Sequence, residues 1–406
     1  MKLQNHVFVG VDTHKNQHTA CVLSCVHQKI ASIETPNNPA KFKKFIQEIR
    51  SVKSPDKNLL FGLEDTQGLG HSLSQWLLDK GYTVKEVNPA LTKRERHHST
   101  NPDKSDEVDA EAIANVLITD FNELPDAFYD ANFKAIKHLN DQRQTMVKEK
   151  TKIKNRLHNL IHQQYSQYQK FFSNPFCKTG LAFFEEFPYP SDLNYYAEDR
   201  LNKFLKKQVK SIGNDKAATI LSLVNKDKKK AADAKARTTI IKSLIKQLKL
   251  LSESLNKINQ KLKSSVEKSQ YQLTTMPGIG FKMAAMFISN IKNIDRFDSA
   301  SKLARYAGLA PVEHSSGTSK SLNLKKYGCR DLNHAFYMLA FQQIGNNKNP
   351  ASYSYYQKKL KEGKSKKIAL ICLQRRLVDI IYAMMRDRST YKLPENISYE
   401  MFNKAG

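Results

Sequence analysis

Cysteine is scarce in this chain: five residues, at positions 21, 25, 177, 329 and 372, with no Cys-x-x-Cys pair among them. An odd, scattered set builds neither a disulfide framework nor a zinc site, and it fits a reduced, cytoplasmic chain. Cys21 and Cys25 are expected in a buried strand, the usual place of a free thiol. No apolar run approaches the roughly 20 residues that span a bilayer, and no signal peptide is visible, so no membrane partner is expected. Glycine is thin between residues 126 and 270, which suits helices. Acidic residues are few for the number of basic ones, and that imbalance excludes little but demands a partner.

The chain has 406 residues, enough for two or three domains with their own cores. Its 66 Lys and Arg against 39 Asp and Glu give a net charge of +27, which calls for a polyanionic partner. The charge is unevenly placed. Residues 1–125 hold 15 basic and 16 acidic residues, close to neutral, while the remainder holds 51 basic and 23 acidic. That division suits an enzyme acting on nucleic acid, with its acids in one module and its grip in another.

The first module reads as βββαβαβα. Val7 to Asp12 is a β-branched run ending in an acid, and residues 19–26 and 29–35 follow as strands of a meander. Residues 39–51 form an amphipathic helix with Phe42, Phe45, Ile46 and Ile49 on one side. Leu59 to Glu64 is a buried type of strand, again ending in an acid. A helix over 70–80 and a strand over 82–87 come next, then a basic loop with Lys93, Arg94, Arg96, His97 and His98. Last comes an alanine-rich helix starting near Pro102 and Ser105.

On that helix Asp106 and Asp109 share a face near the N-terminus, where the helix dipole favours negative charge. Taken alone, the pair is ordinary decoration of a first turn. The element order, however, is that of the ribonuclease-H-like fold, in which the first and fourth strands are neighbours and the last helix crosses them. Asp12, Glu64, Asp106 and Asp109 then meet, and gathered like charges repel unless a cation sits among them. Oxygen ligands without a nearby cysteine favour Mg²⁺ or Mn²⁺, two ions about 3.5–4 Å apart clamping a phosphodiester. Asp65 points to the other side of its strand and is read as structural.

Residues 126–270 are Lys-rich and helical. Leu139, Met146, Ile153 and Leu160 recur every seven residues, as do Ile241, Leu248, Leu255 and Leu262, interleaved with Leu244, Leu251 and Ile258. The second run is a coiled-coil seam. It serves equally as a dimerisation arm or as half of an intramolecular hairpin. Residues 171–196 interrupt the helices with aromatics and prolines and carry no assignable chemistry, and Lys226 to Lys230 reads as a solvated loop or a nucleic-acid contact. In the last segment Met276-Pro277-Gly278-Ile279-Gly280 suits either a helix-hairpin-helix turn that binds phosphate through backbone N–H groups or a plain inter-helix turn. Residues 363–387 form a basic helix with Arg375 and Arg376.

Gly10 to Lys15, Glu64 within Leu63-Glu64-Asp65-Thr66, and Lys104-Ser105-Asp106-Glu107-Val108-Asp109-Ala110 together resemble the DEDD signature of the insertion-sequence one-ten transposases, relatives of the pilin-gene DNA invertases. Ala307-Gly308-Leu309-Ala310-Pro311, then Ser315-Ser316-Gly317 and Lys326-Tyr327-Gly328, are similar to that family's C-terminal domain. The resemblance implies a RuvC-like domain over 1–125 and a mainly helical C-terminal domain over 271–406; between them the coiled-coil segment over 126–270 rests on its heptads, the resemblance there extending only to its being helical. It also implies that Ser316 is a recombination nucleophile, with Ser315 as the neighbouring alternative. By the same resemblance the chain uses a structured guide RNA whose loops pair with target and donor DNA; a homo-oligomer, a dimer or tetramer, is expected from the seam over 241–262 and from the need to hold two DNA partners at once. One position departs from the family: Leu332 is followed by Asn333 where an arginine is usual, with Arg330 as a substitute.

Two other classes fit parts of the pattern. A Holliday-junction resolvase or nuclease needs the acids and not Ser316; a non-catalytic nucleic-acid-binding protein needs only the basic segments. Either way, binding led by phosphate contacts should weaken steeply with salt. Titration of duplex DNA should show log affinity against log salt with a slope of roughly −0.9 per phosphate contacted. A flat profile contradicts the reading.

Overall fold

The computed structural model describes residues 3–52, 55–64, 68–98, 105–194, 196–213, 215–225, 233–310, 312–316, 319–323, 328–345 and 349–394. The expectations for Asp65, for residues 226–230, and for Gly317, Lys326 and Tyr327 lie outside the described residues. The chain divides into two compact units, each discontinuous in sequence: Met1–Lys134 with Ile291–Arg330 and Arg375–Asp387, and Ala135–Asn290 with Asp331–Gln374 and Arg388–Gly406.

The first unit is built on a five-stranded sheet in the order β3-β2-β1-β4-β5. Strands β1 (His6–Thr13), β2 (Gln17–Leu23) and β3 (Lys29–Pro36) form the antiparallel meander. Helix α1 (Pro39–Ser51) leads to β4 (Asn58–Leu63), α2 (His71–Asp79) and β5 (Thr83–Glu86), with α3 (Pro89–His98) and α4 (Asp106–Thr119) following. β4 pairs parallel with β1 and β5 parallel with β4. The order and pairing fit a ribonuclease-H-like domain. The expected basic loop is helix α3 instead: Asn88 Oδ1 accepts from Ala90 N at 2.9 Å and Pro89 opens the first turn, so the charged run folds behind a local helix start that a reading of charge alone overlooks. The second strand also stops at Leu23, which leaves Cys25 half-buried outside it, whereas Cys21 is buried in β2 with its thiol pushed up to about 12 by desolvation.

Alternation along β1 and β4 decides everything that follows. Val7, Val9, Val11, Leu59, Phe61 and Leu63 face one way and pack with Phe42, Phe45, Ile46, Ile49, Leu73 and Leu77 of α1 and α2. Phe8 and Leu60 face the other way, into the layer formed by Ala110, Ile113, Ala114 and Leu117 of α4. Gly10 and Gly62, partners across the two strands, lie on this second face. A Cβ on Gly10 would overlap the carbonyl oxygen of Ala110 and the amide nitrogen of Ala114, and would stand 2.8 Å from Ala114 Cα. α4 therefore rests backbone to backbone on β1.

The second unit contains two 34-residue helices, α5 (Ala131–Gln164) and α9 (Ala234–Glu267), separated by α6 (Lys178–Glu186), α7 (Glu198–Gln208) and α8 (Lys216–Asn225). Arg143 Nε donates to Asn259 Oδ1 at 3.0 Å, while Arg237 Nη1 donates to the Gln163 carbonyl at 3.3 Å. These contacts pair α5 with α9 antiparallel within one chain. Of the seam expected from heptads, Ile241, Leu244, Leu248, Leu255 and Leu262 are buried, while Leu251 and Ile258 are half-buried. The aromatic interruption becomes core: Tyr165, Tyr168, Phe171, Phe183, Phe184 and Phe187 are buried together, with Tyr165 Oη donating to the Phe187 carbonyl at 2.8 Å.

Further on come α10 (Phe281–Ile291), α11 (Ala300–Tyr306), the hairpin β6 (Val312–Ser316) and β7 (Ser319–Asn323), then α12 (Arg330–Ile344), α13 (Pro350–Lys361) and α14 (Lys366–Arg386). Gly278, at φ 86°, turns the chain ahead of α10, and the Pro277 carbonyl accepts from Gln343 Nε2 at 2.8 Å. No described helix is long and apolar enough to cross a membrane.

Gly10→Ala should destabilise the first unit by about 3 kcal/mol or more, since the colliding atoms are backbone and cannot rotate away. Gly62→Ala, whose Cβ would meet only side chains at 3.1–3.4 Å, should cost about 1 kcal/mol. Urea unfolding of the two variants measures the difference.

Candidate metal centre

The same alternation places Asp12 on the α4 face, two residues beyond Gly10, and Glu64 two residues beyond Gly62. β1 and β4 are in register with Val11 beside Leu63, so the two acids follow as neighbours at the C-terminal ends of paired parallel strands. Ser105 caps α4, its Oγ accepting from Val108 N at 3.2 Å, and this start delivers Asp106, Glu107 and Asp109 in the first turn. With α4 lying on Gly10, that turn arrives at the strand ends.

The structure brings Asp12, Asp106 and a residue given no role by sequence reasoning, His14, into one group whose ligand atoms all lie within 4.8 Å. His14 Nδ1 lies 3.6 Å from Asp12 Oδ2, and its Nε2 lies 3.5 Å from Asp106 Oδ1. The signal was present in the spacing: an extended chain returns its side chain to the same side after two residues. Glu64 and Asp109 stand within electrostatic reach of Asp12, but each has a partner of its own. Thr92 Oγ1 donates to Glu64 Oε1, and Arg96 Nη1 donates to Asp109 Oδ1 at 2.6 Å. Both partners come from α3, so the misread loop hides the residues that brace half of the acids. A polar and a basic residue four apart on one helical face was the available clue.

Asp12 is perturbed by its surroundings. Burial pushes its carboxyl up from 3.8 to about 6, with His14 lowering it and Asp109, Asp106 and Glu64 each raising it. Its Oδ2 is buried and accepts no hydrogen bond among the described residues. A buried carboxylate oxygen without a donor, facing other carboxylates, is the arrangement a divalent cation satisfies. The donor set fits one: Asp12 and Asp106 at the centre, His14 beside them, Glu64 and Asp109 at the margin.

The serines of the sequence motif occupy β6, in the same unit. Ser316 is opposite Ser319 and Ser315 opposite Lys320, which sets both at the closed end of the hairpin. The base of this excursion is held by two glycines from the separate motifs. Gly328, at φ 124°, packs so closely that a Cβ would come 2.6 Å from the Tyr306 carbonyl oxygen and 2.7 Å from Gly308 N, and Cys329 N donates to that same carbonyl at 2.7 Å.

Because the Asp12 pKa is raised on folding, the ion-free fold loses stability as pH rises from about 4 through about 6. In metal-free buffer at pH 7.5, Asp12→Asn should therefore raise stability, by up to about 3 kcal/mol. Mg²⁺ or Mn²⁺ should raise the melting temperature of the wild type, an increment that fades below pH 6 and is absent in Asp12→Asn. Thermal melts across pH with and without the ion check all three.

Comparison with known proteins agrees with this geometry. A family model described as a transposase, the DEDD type of IS110, matches residues 9–166, which contain all four acids. A second, the transposase IS116/IS110/IS902 family, matches residues 270–357. The chain is 23% identical to the insertion element IS110 uncharacterized 43.6 kDa protein of Streptomyces coelicolor over 95% of both chains. It is 24% identical to the corresponding 42 kDa protein of insertion element IS900 from Mycobacterium paratuberculosis, over 95% of this chain and 97% of the relative. A stretch of 121 residues, 29% of this chain and 37% of the relative, is 35% identical to the pilin gene-inverting protein of Moraxella bovis. With both family models falling on their expected segments and full-length relatives encoded by insertion elements, the chain belongs to the IS110 family of transposases, enzymes that act on DNA by strand cleavage and joining.

Proposed function

We propose that the chain is a DNA recombinase of an insertion sequence in which Asp12, Glu64, Asp106 and Asp109 hold Mg²⁺ or Mn²⁺ and Ser316 is the nucleophile. The observation that carries the reading is the gathering of acids at the ends of β1 and β4 under the first turn of α4, around a buried Asp12 oxygen with no donor. When bound, the ion supplies charge neutralisation at the scissile phosphate and at the departing oxygen. His14 adds a neutral or protonated nitrogen beside Asp12, while Arg96 and Thr92 hold Asp109 and Glu64 in place. A serine hydroxyl is a weak nucleophile until a base takes its proton. Attack of Oγ on phosphorus forms a serine–phosphate ester and releases one strand end. Reversal of the same step by another strand end joins DNA with no external energy source.

The remaining parts of the reading are carried by the family and by sequence pattern rather than by geometry. They are a structured guide RNA, donor and target DNA, and a homo-oligomer that holds two DNA partners at once. The threefold division at 125 and 270, a coiled-coil role for the α5 and α9 seam, and phosphate binding at the Gly278–Gly280 turn belong with them. A site-specific invertase is the second reading, favoured by the stretch shared with the pilin gene-inverting protein. A resolvase without serine chemistry is the third.

Trapping separates them. Labelled DNA incubated with Mg²⁺ and denatured should leave label on wild-type protein and none on Ser316→Ala. Loss of one hydroxyl should move stability by no more than about 0.5 kcal/mol. Wild-type cleavage by Ser316→Ala, with its nucleophile a water, would make the resolvase the better reading; an adduct lost only in Ser315→Ala would move the assignment one residue.

A further inference from the structure

The first unit carries a second charged feature at the opposite end of its sheet. β1, β4 and β5 run parallel, so His6, Asn58 and Thr83 share one edge while Asp12 and Glu64 share the other. Six residues of strand at about 3.3 Å each put the two edges roughly 20 Å apart. At the first edge lies a cleft of about 680 Å³ whose side-chain lining includes His6, Arg50, Lys57, Lys80 and Tyr82. No carboxylate lines it among the described residues; Asp56, next to Lys57 in sequence, is not part of the wall.

Several cations elsewhere in this unit are paired with a carboxylate: Lys29 with Glu107, Arg94 with Asp120, Arg96 with Asp109, Lys292 with Glu86. Those of the cleft are different. Arg50 Nη2 donates to Tyr82 Oη at 2.7 Å and its guanidinium lies 5.8 Å from that ring, while Lys80 Nζ lies 6.0 Å from the Trp76 ring. Among the described residues, no ion pair joins Arg50, Lys57 or Lys80 to a carboxylate.

We propose that this cleft binds the sugar–phosphate backbone of a nucleic acid, as a contact separate from the metal centre and from the basic helices. Three converging cations without carboxylates repel one another, and an anion between them relieves that repulsion. Arg50 presents the planar fork that suits a phosphate, pre-oriented by its bond to Tyr82. The occupant is a polymer rather than a metabolite, because Arg50, Asn58, Lys80, Gly81 and Thr83 are exposed and leave the cleft open to water. Small-molecule sites bury most of their ligand, whereas a nucleic-acid backbone is gripped from one side. Helix dipoles explain only part of the cluster. Arg50 ends α1 and Lys80 caps α2, where a cation is favourable, but Lys57 precedes a strand and belongs to no helix end.

The double variant Lys57→Ala with Lys80→Ala, in the full chain, tests the proposal against labelled duplex DNA and labelled single-stranded RNA over a range of salt. On whichever nucleic acid lies in the cleft, the slope of log affinity against log salt should shrink by roughly 1.5–2, and affinity at about 0.1 M salt should fall about tenfold or more. The control Lys41→Ala with Lys43→Ala removes equal charge from exposed positions of α1 outside the cleft, and should move the slope far less. An unchanged slope on both ligands overturns the proposal, as does a control effect of equal size. A lowered melting temperature with an unchanged slope also overturns it, and assigns the lysines to helix ends and packing. The serine adduct formed at saturating DNA should survive the substitutions, so loss of the proposed chemistry and loss of this contact are read separately.

Discussion

The rest of the first unit depends on how closely α4 approaches β1. Backbone touches backbone at Gly10, with Gly62 beside it, and no other residue type permits that spacing. A helix lifted by even one methyl group would carry its first turn away from the strand ends, and Asp106 would no longer share a pocket with Asp12 and His14. The glycines thus act on chemistry they never touch. Seating α4 there costs the fold something, because it drives an acidic first turn against two acids already in place. Part of that cost is offset locally: the helix dipole favours Asp106 and Asp109, Arg96 pairs with Asp109, and Thr92 donates to Glu64. Asp12 Oδ2 is buried and has no donor among the described residues, which leaves repulsion where a cation relieves it.

Charge is distributed on two scales. Between segments, the near-neutral first 125 residues contrast with a strongly basic remainder. Within the sheet domain, near-neutrality conceals a separation: carboxylates at the C-terminal edge of the parallel strands, cations at the N-terminal edge. Summing charges over a segment erases a dipolar arrangement of this kind, and only the parallel pairing of β1, β4 and β5 reveals it. An enzyme that handles a polyanion benefits from the separation. Grouped acids repel phosphate unless a cation neutralises them, whereas grouped cations attract it.

Legibility followed the range of the interactions. Strand order and the ends of β1, β4 and α4 were readable because period-two alternation, a serine cap and acids at element ends are local signals. The family motifs supplied Asp12, Glu64, Asp106 and Asp109 as a set; the structure groups Asp12 and Asp106 most tightly and leaves Glu64 and Asp109 braced by others. His14 was in view but without a role, since its meaning depends on Asp106 arriving from 92 residues away. Arg96 and Thr92 were lost in a segment whose charge masked a helix. The aromatic stretch before α7 resisted reading for the opposite reason. Its residues look like an interruption in one dimension and become a core only when α6 folds Phe183 and Phe184 against Tyr165 and Phe171. The heptads allowed a dimer arm or a hairpin, and partners on facing helices such as Arg143 and Asn259 display the hairpin within one chain.

The discontinuity of the first unit raises a question of chain entropy. Residues 291–330 must return to a sheet completed before residue 135. Closing a flexible loop over the intervening residues would cost about 4–5 kcal/mol beyond its constant term, by the logarithmic dependence on length. Two antiparallel helices of 34 residues each change that estimate, because each rises roughly 50 Å and the second retraces the first. Once α5 and α9 have zipped, the chain is back near the level at which it left, and the loop that remains to be closed is short. The contact that then fixes the returning segment is specific: Lys292 Nζ donates to Glu86 at 2.9 Å, and Tyr382 Oη donates to the Phe297 carbonyl at 2.9 Å. Helix pairing is local and fast to propagate, and once formed it shortens the loop whose closure brings the serine hairpin into one compact unit with the acids.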